Sequence, residues 1–208
     1  MAEKYSFQEW LDKATAFHGH QCPGQVLGVR LAMRGLDELE ITDPYGVDRK
    51  KMVVFVEAAR CFADAIMTVT GCRVGKRSFK IIDIGKFAAT FLNMGSGRAV
   101  RIALRSDIRE RMTASYPGQE ERKAETTAFM EMTDDELFAF QDVAVVLNRE
   151  DTPGEPIVRS FCSSCGDAVV DRREVERNGR VLCRPCSTGS SYYTIPFAVR
   201  AAKRGEAL

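Results

Sequence analysis

Four cysteines in the C-terminal part of the sequence are spaced as metal ligands. Cys162 and Cys165 form one CxxC pair, Cys183 and Cys186 form a second, and 17 residues lie between the pairs. A CxxC turn directs two thiolates to one point, and two such turns complete the tetrahedral Cys₄ shell of a structural zinc site. A redox dithiol would leave the second pair unexplained. The spacing therefore predicts one zinc ion held by all four sulfurs.

A second group of possible ligands lies near the N-terminus. His18, His20 and Cys22 alternate along the chain and include both of its histidines. Alternating side chains share a face when the backbone is extended, and Gly19 and Pro23 favour such a turn-rich conformation. These three residues are therefore candidate ligands of a separate core metal.

Cys61 is a candidate fourth ligand, because it opens a predicted helix whose N-terminus would lower the pKa of its thiol. Cys22 and Cys61 are also candidate reactive thiols, so the sequence leaves metal ligation and thiol chemistry open. A shell of nitrogen and sulfur makes zinc the default metal, and nickel or iron would also fit. Glu57 and Asp64 are acids near this point, each with a structural role as the alternative.

The hydrophobic pattern predicts the elements that position these residues. Helices that alternate with short apolar strands indicate an α+β fold, with helices packed on a mostly antiparallel sheet. The second CxxC pair and the Asn178-Gly179 turn predict a treble-clef-like or ribbon-like finger. The predicted helices span 7–17, 23–39, 61–70, 107–114 and 120–132, a capping box at 133–136 opens one more, and the predicted strands span 52–56, 78–84, 87–93, 99–104 and 143–147.

A proline- and glycine-containing segment divides the chain. Residues 151–156 read DTPGEP, the clearest linker in the sequence. The segment Tyr192–Phe197 is apolar for a terminus, and we expect it to pack on the core or on a partner subunit. We predict a core domain at 1–150, a linker at 151–156, a Cys₄ zinc finger at 157–190 and a tail at 191–208.

Composition excludes several classes of protein. The 208 residues are 45% hydrophobic and 28% charged, which is typical of a globular protein. Thirty basic and 29 acidic residues give a net charge of +1, so no global field attracts nucleic acid or an anionic membrane. No apolar run approaches the roughly 18 residues that span a bilayer, and the first residues lack the apolar stretch of a secretion signal. We expect a cytoplasmic protein, in which cysteines serve as metal ligands or thiols rather than in disulfides.

Several segments resemble a known family. They read HGHQCPG at 18–24, CFADAI at 61–66, TGCRVGK at 70–76 and DIGK at 83–86. Together they resemble the FmdE family, whose members are named for tungsten or molybdenum formylmethanofuran dehydrogenase. The resemblance covers about residues 15–104, and the two CxxC pairs match the zinc finger that many members append. Residues 105–150 match no motif of the family.

The resemblance implies an α+β core, a cleft bearing a metal or a thiol, and a homodimer. Many members resemble accessory proteins of molybdenum or tungsten metabolism rather than the catalytic subunit. Two helix N-termini that converge at the cleft would also favour an anion. An oxyanion such as molybdate or tungstate, or an anionic cofactor such as a pterin phosphate, would fit there, with Lys76 and Lys86 as candidate anion contacts.

Two classes of function follow. In the first, the protein is an accessory or small-ligand-binding protein associated with molybdenum or tungsten enzymes, with an enzyme of that kind as its partner. In the second, it is a metal-dependent enzyme, hydrolase-like or thiol-redox, with the finger as a structural module. The finger carries six arginines against four acids between residues 157 and 186, a small excess that argues against a nucleic-acid partner.

Overall fold

The computed structural model describes residues 5–155 and 159–193. The chain divides into two units, Met1–Gly154 and Glu155–Leu208, so that the boundary falls within the predicted linker. The helices of the first unit are α1 (Phe7–His18), α2 (Pro23–Glu38), α3 (Cys61–Thr70), α4 (Ile108–Ser115), α5 (Glu121–Glu131) and α6 (Asp134–Leu137). Its strands are β1 (Met52–Val56), β2 (Phe79–Ile81), β3 (Ala88–Asn93), β4 (Ala99–Leu104) and β5 (Phe138–Asp142).

The five strands form one mostly antiparallel sheet, which confirms the predicted α+β class. Their order is β2-β1-β3-β4-β5, with β1 and β2 parallel and the other neighbours antiparallel. After β1 the chain passes through α3 and returns to the sheet as β2, which lies at the sheet edge beside β1. This crossover places the N-terminus of α3 beside the end of β1.

Helices α2 and α3 approach each other unusually closely. A Cβ at Gly28 would lie 2.4 Å from the carbonyl oxygen of Phe62 and 2.7 Å from the Cβ of Ala65, so only glycine fits. The fully buried Leu27 and Phe62 pack here in the main hydrophobic core, together with Phe91 of the sheet. The contact holds the starts of α2 and α3 side by side.

The predicted strand over 143–147 is wrong. The fifth strand is β5, which follows the capping box of Thr133 and Glu136 directly and pairs with β4 from Leu104↔Phe138 to Val100↔Asp142. The apolar residues after β5 pack on the outer face of the sheet instead, against Val53, Leu92 and Ala99. Their hydrophobic pattern therefore resembles that of a strand, although these residues do not form one.

The second unit consists of two hairpins and a helix. Its elements are β6 (Arg159–Phe161), β7 (Ala168–Val170), β8 (Val175–Arg177), β9 (Arg180–Leu182) and α7 (Arg184–Thr188). Asn178 and Gly179, with φ of 53° and 70°, form the two-residue turn between β8 and β9 that the sequence predicts. Two hairpins are followed by a helix that has Cys183 as its N-cap residue and Cys186 within it, which matches the treble-clef-like form.

The predicted tail lies mostly outside the described residues. Tyr192 is 99% exposed and Tyr193 is 53% exposed, while the remainder of Tyr192–Phe197 is not described. Within 5–155 and 159–193, no helix combines the length and the apolar character that crossing a membrane requires.

An ion pair between β4 and the end of β1 anchors the loop that follows β2. Arg101 donates from Nε and Nη2 to the two carboxylate oxygens of Glu57, at 2.6 and 2.7 Å. The backbone carbonyl of Glu57 accepts from the N–H groups of Ile84 and Lys86. The hydrogen bonds from Arg101 hold the pKa of Glu57 below its ordinary value. Glu57 is thus engaged in structure.

We predict that Glu57→Gln lowers the free energy of unfolding by about 1 kcal/mol near neutral pH, because Arg101 loses its negative partner and one of the two oxygens that accept its hydrogen bonds. A carboxyl whose folded-state pKa is depressed stabilises the fold above its unfolded pKa and loses that contribution as the pH falls through the folded value. The unfolded value is close to the ordinary 4.5. Urea unfolding of both proteins from neutral to acid pH should show the difference shrinking below that value. A difference that stays constant on acidification would contradict the ion pair's role.

Candidate functional site

The end of α1 brings the two histidines together. His18 is the last residue of α1, and Gly19 ends the helix in the left-handed conformation, with φ of 96° and its N–H donated to the carbonyl of Thr15. The chain then reverses, so that the rings of His18 and His20 lie with their centroids 4.8 Å apart. His18 is therefore helical, and the three candidate ligands do not lie on one extended segment as the sequence predicts.

Cys22 completes a group of three possible ligands. It precedes α2 as an extended N-cap residue and is 7% exposed. One ligand atom each from His18, His20 and Cys22 lies within 4.8 Å of the other two. Two nitrogens and one sulfur are a donor set that zinc accepts, and three protein ligands leave a fourth position open for water or a ligand.

Asp64 fixes the orientation of His18. The Nδ1 atom of His18 lies 2.8 Å from Oδ2 of Asp64, which belongs to α3. A proton on Nδ1 donated to this carboxylate leaves a lone pair on Nε2. That Nε2 atom is buried and has no hydrogen-bond partner in the part of the chain that the structure describes. A carboxylate–histidine pair with the second nitrogen free is the arrangement that orients metal-ligating histidines.

Cys61 lies beside this group but is not part of it. It is the first residue of α3, and its thiol interacts with that of Cys22. A Cβ at Gly24 would lie 2.8 Å from the Cβ of Cys61 and 3.7 Å from Sγ of Cys22, so the glycine allows the two cysteines to approach. The buried Gln25 donates from Nε2 to the carbonyl of Cys61 at 2.6 Å, which fixes the start of α3.

The predicted lowering of the pKa of the Cys61 thiol is wrong. Burial, followed by the hydrogen bond and charge of the neighbouring Cys22 thiol, raises the pKa of Cys61. These effects outweigh the lowering by the backbone N–H group at the start of α3. Cys61 is therefore not a pre-formed thiolate.

A cavity of about 830 Å³ opens beside Cys22 and Cys61. Its size is typical of small-molecule sites. One of its acidic lining residues, Glu121, pairs with Arg109, so a net charge of −1 remains along a lining with four acids and two arginines. These residues are Asp83, Glu120, Glu121, Glu125, Arg60 and Arg122.

The two candidate anion contacts do not line this cavity. Lys76 lies in the short 3₁₀ turn Val74–Lys76 and lines a different cavity. Lys86 precedes β3, and the DIGK segment contributes Asp83 and Gly85 to the wall instead. The structure therefore does not gather the positive charge at this cleft that the sequence-based hypothesis requires.

The acids of α5 are candidate site residues that the sequence does not predict. Glu121 and Glu125 are spaced by one helical turn, and both line the cavity. Burial, followed by the charge of Glu121, raises the pKa of Glu125. Charged residues on a helix most often face solvent, so no local signal marks these carboxylates; only the packing of α5 reveals them.

The second unit brings its four cysteines together. The thiols of Cys162, Cys165, Cys183 and Cys186 all lie within 4.8 Å of one another. Backbone N–H groups of Cys165 and Cys183 donate to the sulfur of Cys162 and lower the pKa of its thiol to about 6. Gly166 turns the first knuckle with φ of 81°. Four converging thiols fit the closed shell of a structural zinc ion.

Two family models match the chain. One, described as "FmdE, Molybdenum formylmethanofuran dehydrogenase operon", matches residues 17–139. The other, described as "Prokaryotic dksA/traR C4-type zinc finger", matches residues 156–192. The first match covers more than half of the chain and reaches beyond residue 104, where the resemblance noted in the sequence ends. It therefore includes α5 and its carboxylates.

A solved structure and a sequence relative are also similar. The crystal structure of a tungsten formylmethanofuran dehydrogenase FmdE-like protein from Syntrophus aciditrophicus matches with a TM-score of 0.59 and 22% identity, over 91% of this chain and 96% of that one. This likeness concerns the fold. A probable S-adenosyl-L-methionine-binding protein of Archaeoglobus fulgidus is 25% identical over 202 residues. The match covers 88% of this chain and 53% of that protein, so the chain spans about half the length of this relative.

We predict that Asp64→Asn weakens metal binding at the core group by about 10- to 100-fold, because the carboxylate that orients His18 loses its charge. Competition with a chromophoric chelator measures the metal affinity of each site. The affinity of the core group should fall, and that of the four finger cysteines should not change. Asp12→Asn is the matched control, since Asp12 is an exposed carboxylate on α1 that accepts from Gln8. Equal affinities in the wild type and Asp64→Asn would show that Asp64 does not position a ligand.

Proposed function

The chain belongs to the FmdE family, and we propose that it is a metal-binding accessory protein whose core presents one metal ion to a small-ligand cavity. The observation that carries this proposal is the unpartnered, buried Nε2 atom of His18. Its ring is fixed by Asp64, and it lies beside His20 and Cys22. A buried polar atom without a partner costs free energy, and a metal ion would remove that cost.

Each residue of this site has its own proposed role. His18, His20 and Cys22 would hold the ion, with Asp64 fixing the proton of His18 on Nδ1. The thiol of Cys61 would serve as a further ligand or as a neighbour to what binds in the open position. Zinc is the default for this donor set, with nickel or iron as alternatives. When bound, the ion supplies a Lewis acid at the edge of the cavity.

The charge of the cavity favours a ligand that carries positive charge. Four acidic and two basic residues line the cavity, and Arg109 pairs with Glu121. A net charge of −1 remains, which would repel an oxyanion such as molybdate or tungstate. The relative from Archaeoglobus fulgidus is described as a probable S-adenosyl-L-methionine-binding protein. S-adenosylmethionine carries a sulfonium and an ammonium group, and both would be attracted by these carboxylates. We therefore propose a small cationic or zwitterionic ligand of this class.

A metal-dependent hydrolase is the second candidate function. It is favoured by Glu125, a cavity carboxyl whose pKa is raised by burial and by Glu121. A raised pKa suits a group that accepts a proton from water near neutral pH. Turnover of an ester, amide or phosphate substrate that Glu125→Gln abolishes would establish this function; binding without turnover would leave the accessory role.

The association with molybdenum or tungsten metabolism and the homodimer remain predictions. The operon named in the family description supports the first. The second is supported by the exposed isoleucines 81, 82 and 84, which are 48%, 53% and 57% exposed along and just beyond the edge strand β2. Sedimentation of the full chain tests the homodimer. The variant Ile82→Asp should dissociate it.

A metal inventory tests the proposed site. We predict two metal ions per wild-type chain. Cys165→Ser should release the finger ion alone, and the double variant Cys22→Ser, Cys61→Ser should release the core ion alone, because the two groups lie in separate units. Elemental analysis of each purified protein measures this. Cys72→Ala is the control, since Cys72 is a buried thiol outside both groups. If the double variant keeps as much metal as the wild type, these cysteines bind none.

Calorimetry tests the ligand class. S-adenosylmethionine should bind about 5-fold more tightly than S-adenosylhomocysteine, which lacks the sulfonium charge, since an exposed charge pair contributes up to about 1 kcal/mol. The double variant Glu121→Gln, Glu125→Gln should lose this preference. Asp12→Asn should keep it. Equal affinities for the two compounds, or no binding of either, would reject a cationic ligand.

A further inference from the structure

A second cavity, apart from the candidate metal site, is lined by positive charge. It has a volume of about 630 Å³ and shares no lining residue with the acidic cavity. Arg49 and Lys50 reach it from the turn before β1, and Lys76 reaches it from the 3₁₀ turn before β2. None of the described residues that line it carries a carboxylate, and its apolar lining residues are Met52, Met94 and Pro153.

Within the described residues, the three cations of this cavity have no counter-charge. None of Arg49, Lys50 and Lys76 makes an ion pair or a side-chain hydrogen bond with any residue in 5–155 or 159–193. The neighbouring Lys51 differs, because its Nζ lies 2.8 Å from Oδ1 of Asp48. Lys80 likewise donates to the carbonyl of Asp151. Among the described residues, Lys51 and Lys80 near the cavity are thus engaged by the protein, whereas the three cations that line it have no counter-charge.

Three like charges around one concave surface repel one another, and a cavity concentrates their field. A bound anion would relieve this repulsion. A guanidinium group matches two phosphate oxygens at once, and lysine ammonium groups add point charges. A cavity of this size also has room for the organic portion of a phosphate-bearing molecule beside its apolar lining residues.

We propose that this cavity binds a phosphate-bearing small molecule through Arg49, Lys50 and Lys76. The proposal goes beyond the function of the core and does not depend on it. It also gives Lys76 the role of an anion contact at a place that the sequence did not indicate. The TGCRVGK segment thereby contributes to a site of its own.

Titration of the full-length ¹⁵N-labelled chain with inorganic pyrophosphate tests the proposal by NMR. The amide signals of Lys50, Gly75 and Lys76 should shift and saturate together. Because pyrophosphate also binds metal ions, the identity of the shifting amides separates this cavity from the core. Shifts confined to His20 and Cys22, or shifts that do not saturate, would overturn the proposal.

Variants make the test quantitative. Lys76→Gln and Arg49→Gln should each weaken pyrophosphate binding about 5-fold, the upper end for one exposed charge pair. Lys123→Gln removes the same charge from an exposed position of α5 that lines neither cavity, and it should leave binding unchanged. The spectra themselves report that each variant is folded. Equal affinity in Lys76→Gln, Lys123→Gln and the wild type would overturn the assignment.

Discussion

The close contact between α2 and α3 is the constraint on which the candidate site depends. Gly28 lets the backbone of α2 meet the carbonyl of Phe62, and Gly24, one turn earlier, lets Cys61 approach Cys22. Since Asp64 lies on the first turn of α3, the same contact brings its carboxylate to His18. A side chain at either glycine would separate the starts of α2 and α3. Asp64 and Cys61 would then move away from the candidate ligands.

The candidate metal-binding groups of the two units differ in their surroundings. Four thiols within one small module form a closed shell, which leaves no position for chemistry. The core group instead combines two nitrogens and one sulfur, and its Cys22 lines a cavity with more acidic than basic residues. In the core, positive charge is gathered elsewhere, around Arg49, Lys50 and Lys76. This separation would allow one chain to bind a metal and cationic ligand at one place and a phosphate group at another.

Much of the fold follows from local patterns. The strands Met52–Val56 and Ala99–Leu104 and the helix Cys61–Thr70 have the bounds that apolar periodicity predicts. The same periodicity wrongly predicts a strand over 143–147, because residues that pack on the outer face of the sheet have the hydrophobic pattern of a strand. The convergence of His18, His20 and Cys22 is visible in their spacing, although His18 reaches it from a helix. The acids of α5, the pairing of His18 with Asp64 and the placement of Lys76 depend on long-range packing, which spacing does not encode.

X-ray absorption spectroscopy of the core metal tests the central claim most directly. The full-length chain with all four finger cysteines replaced by serine would be loaded with zinc, so that the signal comes from the core alone. We expect a mixed shell, with nitrogen or oxygen at about 2.0–2.1 Å and one or two sulfurs at about 2.3 Å. The histidine scattering should weaken when His18 is replaced by alanine. A shell of oxygens only, or a histidine signal that this replacement leaves unchanged, would contradict the claim that His18, fixed by Asp64, binds the metal.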